Sequence, residues 1–247
     1  RTIAGIRYEI NARYSSDYST ASYIFVKDAD MDLITRLLES GDKCVTVQTS
    51  YKREYSTAYA AHILGSTGMI YADEAQKYKD LGYSMNATVG KDGAELAFES
   101  YLHGKDGTAT ITTTADGTAT DTVYTTDPEP GDNVYLTIDE VLQEATENAL
   151  AKGIAQLKED LAAEAAAKGT ATGEEDTSNK ITGGAAVVVD VKTGEPLAMA
   201  SWPTYDLSTL SENFTELSKD TSHPLFNRAL SGTYAPGSTF KPCTAIA

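Results

Sequence analysis

Two prolines and a glycine fall within five residues at Asp127-Pro128-Glu129-Pro130-Gly131. Proline fixes φ and removes a backbone donor, so neither a helix nor a central strand runs through such a segment. The sequence is therefore expected to fold in two parts, residues 1–130 and residues 131–247. A chain of 247 residues has enough length for both to bury a core.

Composition narrows the classes of function. Apolar residues make up 41% and charged residues 23%, as in ordinary globular proteins. The formal net charge of −16 repels phosphate backbones and anionic lipid, which argues against a nucleic-acid partner. No stretch approaches the ~20 apolar residues of a membrane-spanning helix, and no signal-peptide pattern is present. The chain starts at Arg1 and stops inside an apolar, helix-like run from Cys243 to Ala247; it is expected to be a piece of a longer protein. Cys44 and Cys243 match no zinc or Cys-x-x-Cys spacing and read as free thiols, and His62, His103 and His223 have no paired spacing. No metal or other cofactor is expected.

Periodicity places the elements. Alternation at Ile6, Tyr8 and Ile10 predicts a half-buried strand. Asp28 is placed to cap a helix carrying Met31, Ile34, Leu37 and Leu38 on one face, with Gly41 ending it. Cys44 to Thr49 reads as a strand. A short helix capped by Ser56 or Thr57 stops at Gly65, and another runs from Asp73 to Leu81. Residues 93–102 form an amphipathic segment closed by Gly104. Thr108–Thr114 and Thr118–Thr126 flank Asp116-Gly117, a hairpin signal. After the proline-rich segment come a strand at Asn133–Thr137 and a long helix to about Lys168. This helix is capped by a Thr137/Glu140 box or by Asp139. The polar run 169–180 reads as an exposed loop. Ala185–Val191 and Pro196–Ser201 form two strands joined at Lys192-Thr193-Gly194-Glu195, and residues 202–227 read as irregular.

The chemistry lies near the end, in Tyr234-Ala235-Pro236-Gly237-Ser238-Thr239-Phe240-Lys241-Pro242. Pro236 and Gly237 punctuate the chain and an apolar run comes after them, so Ser238 starts a helix, where backbone N–H groups favour negative charge. Lys241 lies about one turn on, on the same face. An uncharged lysine there takes the serine proton and activates the oxygen; burial or neighbouring cations would be needed to keep it neutral. An isolated Ser-x-x-Lys is commonly a helix cap followed by a surface lysine. Its neighbours decide the matter here.

The string Asn227-Arg228-Ala229-Leu230 through Pro242 closely resembles the active-serine region of penicillin-binding proteins, for which Ser-x-x-Lys is a mark. Gly131-Asp132-Asn133-Val134-Tyr135-Leu136-Thr137-Ile138-Asp139 with Gln143 resembles the entry to their transpeptidase domain. Residues 185–201 resemble that domain's first hairpin, and Pro203 with Tyr205-Asp206 resembles the segment after it. Upstream, Arg53-Glu54-Tyr55, Ala61-His62-Ile63-Leu64-Gly65 and Gly93-Ala94-Glu95 look like the non-catalytic domain of the class B proteins. The chain departs from that pattern at Ser56, where proline is usual, and at Ala94, where leucine is usual.

The resemblance implies an α+β fold. A mixed non-catalytic pedestal or dimerisation-like domain (1–130) would be followed by the N-terminal part of a serine β-lactamase-like transpeptidase domain (131–247). It also implies a D,D-transpeptidase of peptidoglycan synthesis at the extracytoplasmic face of the bacterial membrane, with Ser238 as nucleophile and Lys241 as base. Its partners would be D-Ala-D-Ala stem peptides, β-lactam antibiotics and cell-wall synthesis proteins such as a glycosyltransferase. The family's Ser-x-Asn and its catalytic Lys-Thr-Gly do not follow Lys241 in this sequence, so the chain by itself is expected to be inactive. Lys192-Thr193-Gly194 precedes the serine and reads instead as a hairpin turn. Two other readings stand beside this one: a β-lactam-hydrolysing or -sensing serine protein, and a spacer or partner-binding role for residues 1–130. A bifunctional glycosyltransferase-transpeptidase fits less well, since nothing here resembles a polymerase domain.

Overall fold

The computed structural model describes residues 3–14, 26, 28–41, 45, 47, 53–84, 87–114, 119–167 and 181–246. In chain order the elements are α1 (Ile3–Tyr14), α2 (Met31–Ser40), α3 (Ala61–Leu64), β1 (Thr67–Met69), α4 (Ala75–Asp80), β2 (Thr88–Gly90), α5 (Gly93–Ala97), α6 (Glu99–Leu102), β3 (Thr108–Thr113) and β4 (Ala119–Thr126). Next come α7 (Glu140–Ala167), β5 (Gly184–Val189), β6 (Pro196–Trp202), α8 (Leu210–Lys219), α9 (Arg228–Ser231), a 3-10 turn (Gly237–Phe240) and α10 (Lys241–Ile246). The described strands form three antiparallel pairs, β1–β2, β3–β4 and β5–β6. The fold is α+β.

The chain gathers into two compact units. The first comprises residues 1–52, 70–87 and 106–128, and the second residues 53–69, 88–105 and 129–247. Residues 53–69 and 88–105 precede the proline-rich segment in sequence but fold with residues 129–247.

In the first unit, α2 is capped by Asp30, two residues later than expected: its Oδ1 accepts from Leu33 N–H at 2.8 Å. Asp28, the predicted cap, has φ 54° and stands outside the helix. Gly41 ends α2 with φ 66°, a left-handed conformation that costs glycine least. The strand predicted around Ile6–Ile10 is instead helical, as part of α1. No described strand pairs with this segment, so its backbone groups are satisfied internally. Tyr78 on α4 is 1% exposed and packs its ring 5.2 Å from that of Tyr83. The threonine hairpin forms as expected, Thr110 opposite Val123 and Thr112 opposite Asp121; its turn lies outside the described residues. So do the polar run 169–180 and most of the strand expected over Cys44–Thr49.

The second unit is built on α7 and the β5–β6 hairpin. Asp139 caps α7, its Oδ1 accepting from Leu142 N–H at 2.8 Å, which decides between the two caps the sequence offers. Residues 133–137 are not a strand. Thr137 Oγ1 instead donates to Pro196 O at 2.6 Å, and Asp139 N–H donates to Leu197 O at 2.9 Å. Both bonds lay this segment beside the start of β6.

Small residues let α7 and the hairpin approach closely. Ala198 and Ala200 on β6 are buried, and a Cβ on Gly184 would sit 2.8 Å from Ile154 Cδ1. Gln143 is 1% exposed. Its Oε1 accepts from Met199 N–H at 2.8 Å, and its Nε2 donates to Met199 O at 2.8 Å and to Glu147 Oε1 at 2.7 Å. Glu147 Oε1 also accepts from Ala60 N–H at 2.7 Å, which ties α3 to α7. A small apolar core of Ala61, Tyr205 and Leu207 gathers Tyr55, Leu64, Leu210, Leu217 and Leu225 around it. It includes α8, which forms within residues 202–227, a stretch expected to be irregular. Leu210, Phe214 and Leu217 recur there at helical spacing.

Substituting Gln143→Ala strands both peptide groups of Met199 without partners. An unsatisfied buried group costs about 1–3 kcal/mol, so urea unfolding of this variant is expected to show a loss of about 2–4 kcal/mol. A loss within error of zero would show that water or a shifted side chain replaces the amide.

Candidate active site

Ser238 lies in the 3-10 turn Gly237–Phe240, and Lys241 is the first residue of α10. The helix start predicted from Pro236-Gly237 therefore forms, with a tighter first turn. Gly237 enters it at φ 53°, and Lys241 N–H donates to Ser238 O. At three residues per turn, side chains at i and i+3 eclipse, so the Ser238 and Lys241 side chains leave the backbone on the same side. Both residues are exposed, as is every residue from 233 to 246. Tyr234 is 62%, Phe240 56% and Ile246 87% exposed. The described residues do not cover the Lys241 side chain.

The base from which this turn extends is tightly held. Asn227 caps α9, its Oδ1 accepting from Leu230 N–H at 3.1 Å while its Nδ2 donates to His62 O at 3.0 Å. Ser201 Oγ on β6 accepts from Ala229 N–H at 3.1 Å. Arg228, 7% exposed, gathers the carbonyls of Ser222, His223 at 2.9 Å and Phe226 at 3.5 Å. Among the described residues no carboxylate pairs with this buried guanidinium, and three carbonyl dipoles take its donors instead. In the sequence, Asn227 and Arg228 enter only as part of a resembling string. Asn227 ahead of Arg228-Ala229-Leu230 is itself a readable cap signal; the role of Arg228 carries no local signature.

His62, 8% exposed, bonds through Nε2 to Pro224 O at 2.7 Å and meets the Tyr205 ring edge-on at 5.0 Å. Burial holds its pKa below the ordinary imidazole value, with Arg228 adding to the effect, while the Pro224 carbonyl, Glu147 and Asp92 oppose it. Burial likewise raises Tyr205 and Glu95, the latter paired with Arg53 at 2.8 Å.

Lys192-Thr193-Gly194 joins β5 to β6, as expected. Asp190 Oδ1 accepts from Lys192 N–H at 2.7 Å and from Thr193 N–H at 3.2 Å, and Gly194 adopts φ 78°. A lysine in this capped turn has a purely conformational explanation. Among the described residues, no group of three or more His, Cys, Asp or Glu side chains is placed to hold a metal. Cys243 is a free, exposed thiol, and Cys44 lies outside the described residues.

The fold favours neutral His62, whereas the unfolded chain takes up a proton near pH 6.5. The stability His62 contributes is therefore complete above that pH and declines as pH falls below it. Burial of Glu95 acts in the opposite direction on acidification, so a comparison with His62→Phe isolates the histidine. The stability advantage of the unsubstituted chain over this variant is expected to shrink between about pH 7.5 and about pH 5.5, read by urea midpoints. A constant difference would mean that the His62 pKa is the same folded and unfolded.

Two known family models match successive parts of the sequence. Residues 2–136 match the family model of the penicillin-binding protein dimerisation domain, and residues 184–247 match that of the penicillin-binding protein transpeptidase domain. The peptidoglycan D,D-transpeptidase MrdA of Escherichia coli K12 is 29% identical over 207 residues, 79% of this chain and 28% of the relative. The chain thus spans less than a third of the length of the curated relatives it matches. A solved chain from a peptidoglycan synthase complex that coordinates polymerization and crosslinking has a TM-score of 0.66 at 30% identity, covering 99% of this chain and 41% of that one. Pseudomonas aeruginosa PBP2 in complex with WCK 5153 has a TM-score of 0.51 at 32% identity, covering 76% and 32%. With family models matching both parts of the sequence in this order, the chain belongs to the penicillin-binding proteins.

Proposed function

We propose that this chain is part of a peptidoglycan D,D-transpeptidase and that Ser238 is its acylated nucleophile, with Lys241 as the base. The observation that carries the reading is the spacing of these two residues by one 3-10 turn, inside the segment matched by the transpeptidase model. Ser238 Oγ attacks the carbonyl of the penultimate D-alanine of a stem peptide while Lys241 Nζ takes the hydroxyl proton. The C–N bond breaks, the terminal D-alanine leaves with a proton, and an acyl ester on Ser238 remains. The amine of a neighbouring stem peptide attacks that ester, forming the cross-link and freeing the serine. The Ser238 backbone N–H supplies one arm of the oxyanion hole, a donor typically worth ~3 kcal/mol. A β-lactam follows the same first step and stays at the ester.

The side chains that must cover Lys241 and complete the oxyanion hole come from the rest of the transpeptidase domain, so the chain by itself reacts with penicillin slowly or not at all. Residues 131–247 are the beginning of that domain. Residues 1–130 are a non-catalytic module that holds it off the membrane, at the outer face where peptidoglycan is made, and docks other cell-wall synthesis proteins, a glycosyltransferase among them. Among the described residues no helix is long and apolar enough to cross a membrane.

In the whole protein carrying this chain, Ser238→Ala is expected to abolish covalent labelling by a fluorescent penicillin, and Lys241→Ala to slow it by about a thousandfold. Undiminished labelling of Ser238→Ala would remove the assignment. Rapid turnover of nitrocefin by the unsubstituted protein would favour the β-lactam-hydrolysing alternative. For the non-catalytic module, the whole protein is expected to co-purify with a membrane glycosyltransferase from its own cells. Absence of any cell-wall protein would leave the spacer role alone.

A further inference from the structure

His62 lies far before the serine segment in sequence, yet both its ring and its backbone serve that segment. Its Nε2 bonds to Pro224 O at 2.7 Å, and its own carbonyl takes the amide of Asn227 at 3.0 Å. Those two bonds bracket the loop that leads into α9. Asn227 in turn starts α9, and Ser201 Oγ holds its first turn through Ala229 N–H. Beyond α9, Gly232 N–H still donates to Arg228 O at 3.1 Å, and the six residues 232–237 lead from there to Ser238. Among the described residues, no side chain from 233 to 246 is buried. The last element before the serine turn is α9, and the placement of α9 depends on His62, Ser201 and Asn227.

We propose that His62 is a positioning residue for Ser238, acting through an Nε2–H donated to Pro224 O and through its carbonyl on Asn227. This inference rests on the assignment of Ser238 as nucleophile. A histidine that only filled the core would serve through its edge-on contact with Tyr205. The donor role adds a demand that a ring alone cannot meet, because the Pro224 carbonyl needs an N–H at that spot.

The two roles separate by substitution in the whole protein. His62→Phe keeps a ring against Tyr205 and loses the donor, whereas His62→Gln loses the ring and returns an N–H at similar reach. Asn227→Asp keeps an oxygen for the cap on Leu230 and loses the donor to His62 O. Acylation by a fluorescent penicillin gives two readouts. The final labelled fraction counts folded sites, and the second-order rate constant reports how the serine is held. His62→Phe and Asn227→Asp are expected to label to the same final fraction as the unsubstituted protein, with rate constants lower by about tenfold or more, and His62→Gln to recover most of that loss. The proposal is overturned if His62→Phe reacts at the unsubstituted rate, or if His62→Gln is as slow as His62→Phe. It is equally overturned if the variants lose labelled fraction while the remaining sites react at full rate. Should His62→Phe not fold, Asn227→Asp decides alone: a normal rate constant ends the proposal. Labelling that persists in Ser238→Ala would instead defeat the underlying assignment of the nucleophile.

Discussion

Gln143 exchanges two hydrogen bonds with the Met199 peptide and gives a third to Glu147. It does so from the inner face of a helix that the sequence caps at Asp139. A buried primary amide is costly unless its donors and acceptor are used, and here the peptide of a strand supplies both kinds of partner. The register between α7 and the β5–β6 hairpin is set by that match, because a slide of one residue along β6 would present Gln143 with a residue whose N–H and C=O point the other way, toward β5. Glu147, one turn further on, uses the same oxygen to hold the entrance to α3. The segment bearing His62 is thus fixed by the helix that fixes the hairpin.

Polar side chains reading backbone groups recur through the second unit. Arg228 draws together three carbonyls, and Ser201 holds the first turn of α9. The apolar core beside them is small, with Ala61, Tyr205 and Leu207 at its centre. Hydrophobic burial supplies driving force without direction; these directional bonds decide which of several compact arrangements is adopted. The serine segment leaves from this fixed base.

Much of this was legible in the sequence. The threonine hairpin, the long helix after the proline-rich segment, the β5–β6 hairpin with its capped turn, and a helix start at Ser238 all arise from local chemistry: alternation, capping residues, glycine and proline. The departures have physical reasons. Six alternating residues near Ile6 carry no information about whether a neighbouring strand exists, and a strand without a neighbour loses to a helix. Asp28 and Asp30 are equivalent as caps until the first helical residue is known. In Asn133–Thr137 the β-prone residues are present, but the bond that Thr137 makes to the start of β6 comes from its side chain and is no part of a ladder. The grouping of residues 53–69 and 88–105 with the later part of the chain rests on contacts distant in sequence, such as Ala60 with Glu147 and His62 with Pro224, which no local pattern encodes. For the candidate site, Ser238 and Lys241 announce themselves by motif, whereas His62 and Arg228 act through backbone carbonyls, and every residue type offers those.

The exposed rings and aliphatic chains of Tyr234, Phe240 and Ile246 share a molecule with a formal net charge of −16. The first property draws copies together at contact and the second holds them apart at a distance. Only the second depends on the ions in solution, its reach contracting from about 30 Å at 0.01 M to about 10 Å at 0.1 M ionic strength. The colloidal behaviour of the chain is therefore governed by its counterions, and its adhesive surface comes into play once they have shortened the repulsion to the scale of a side chain.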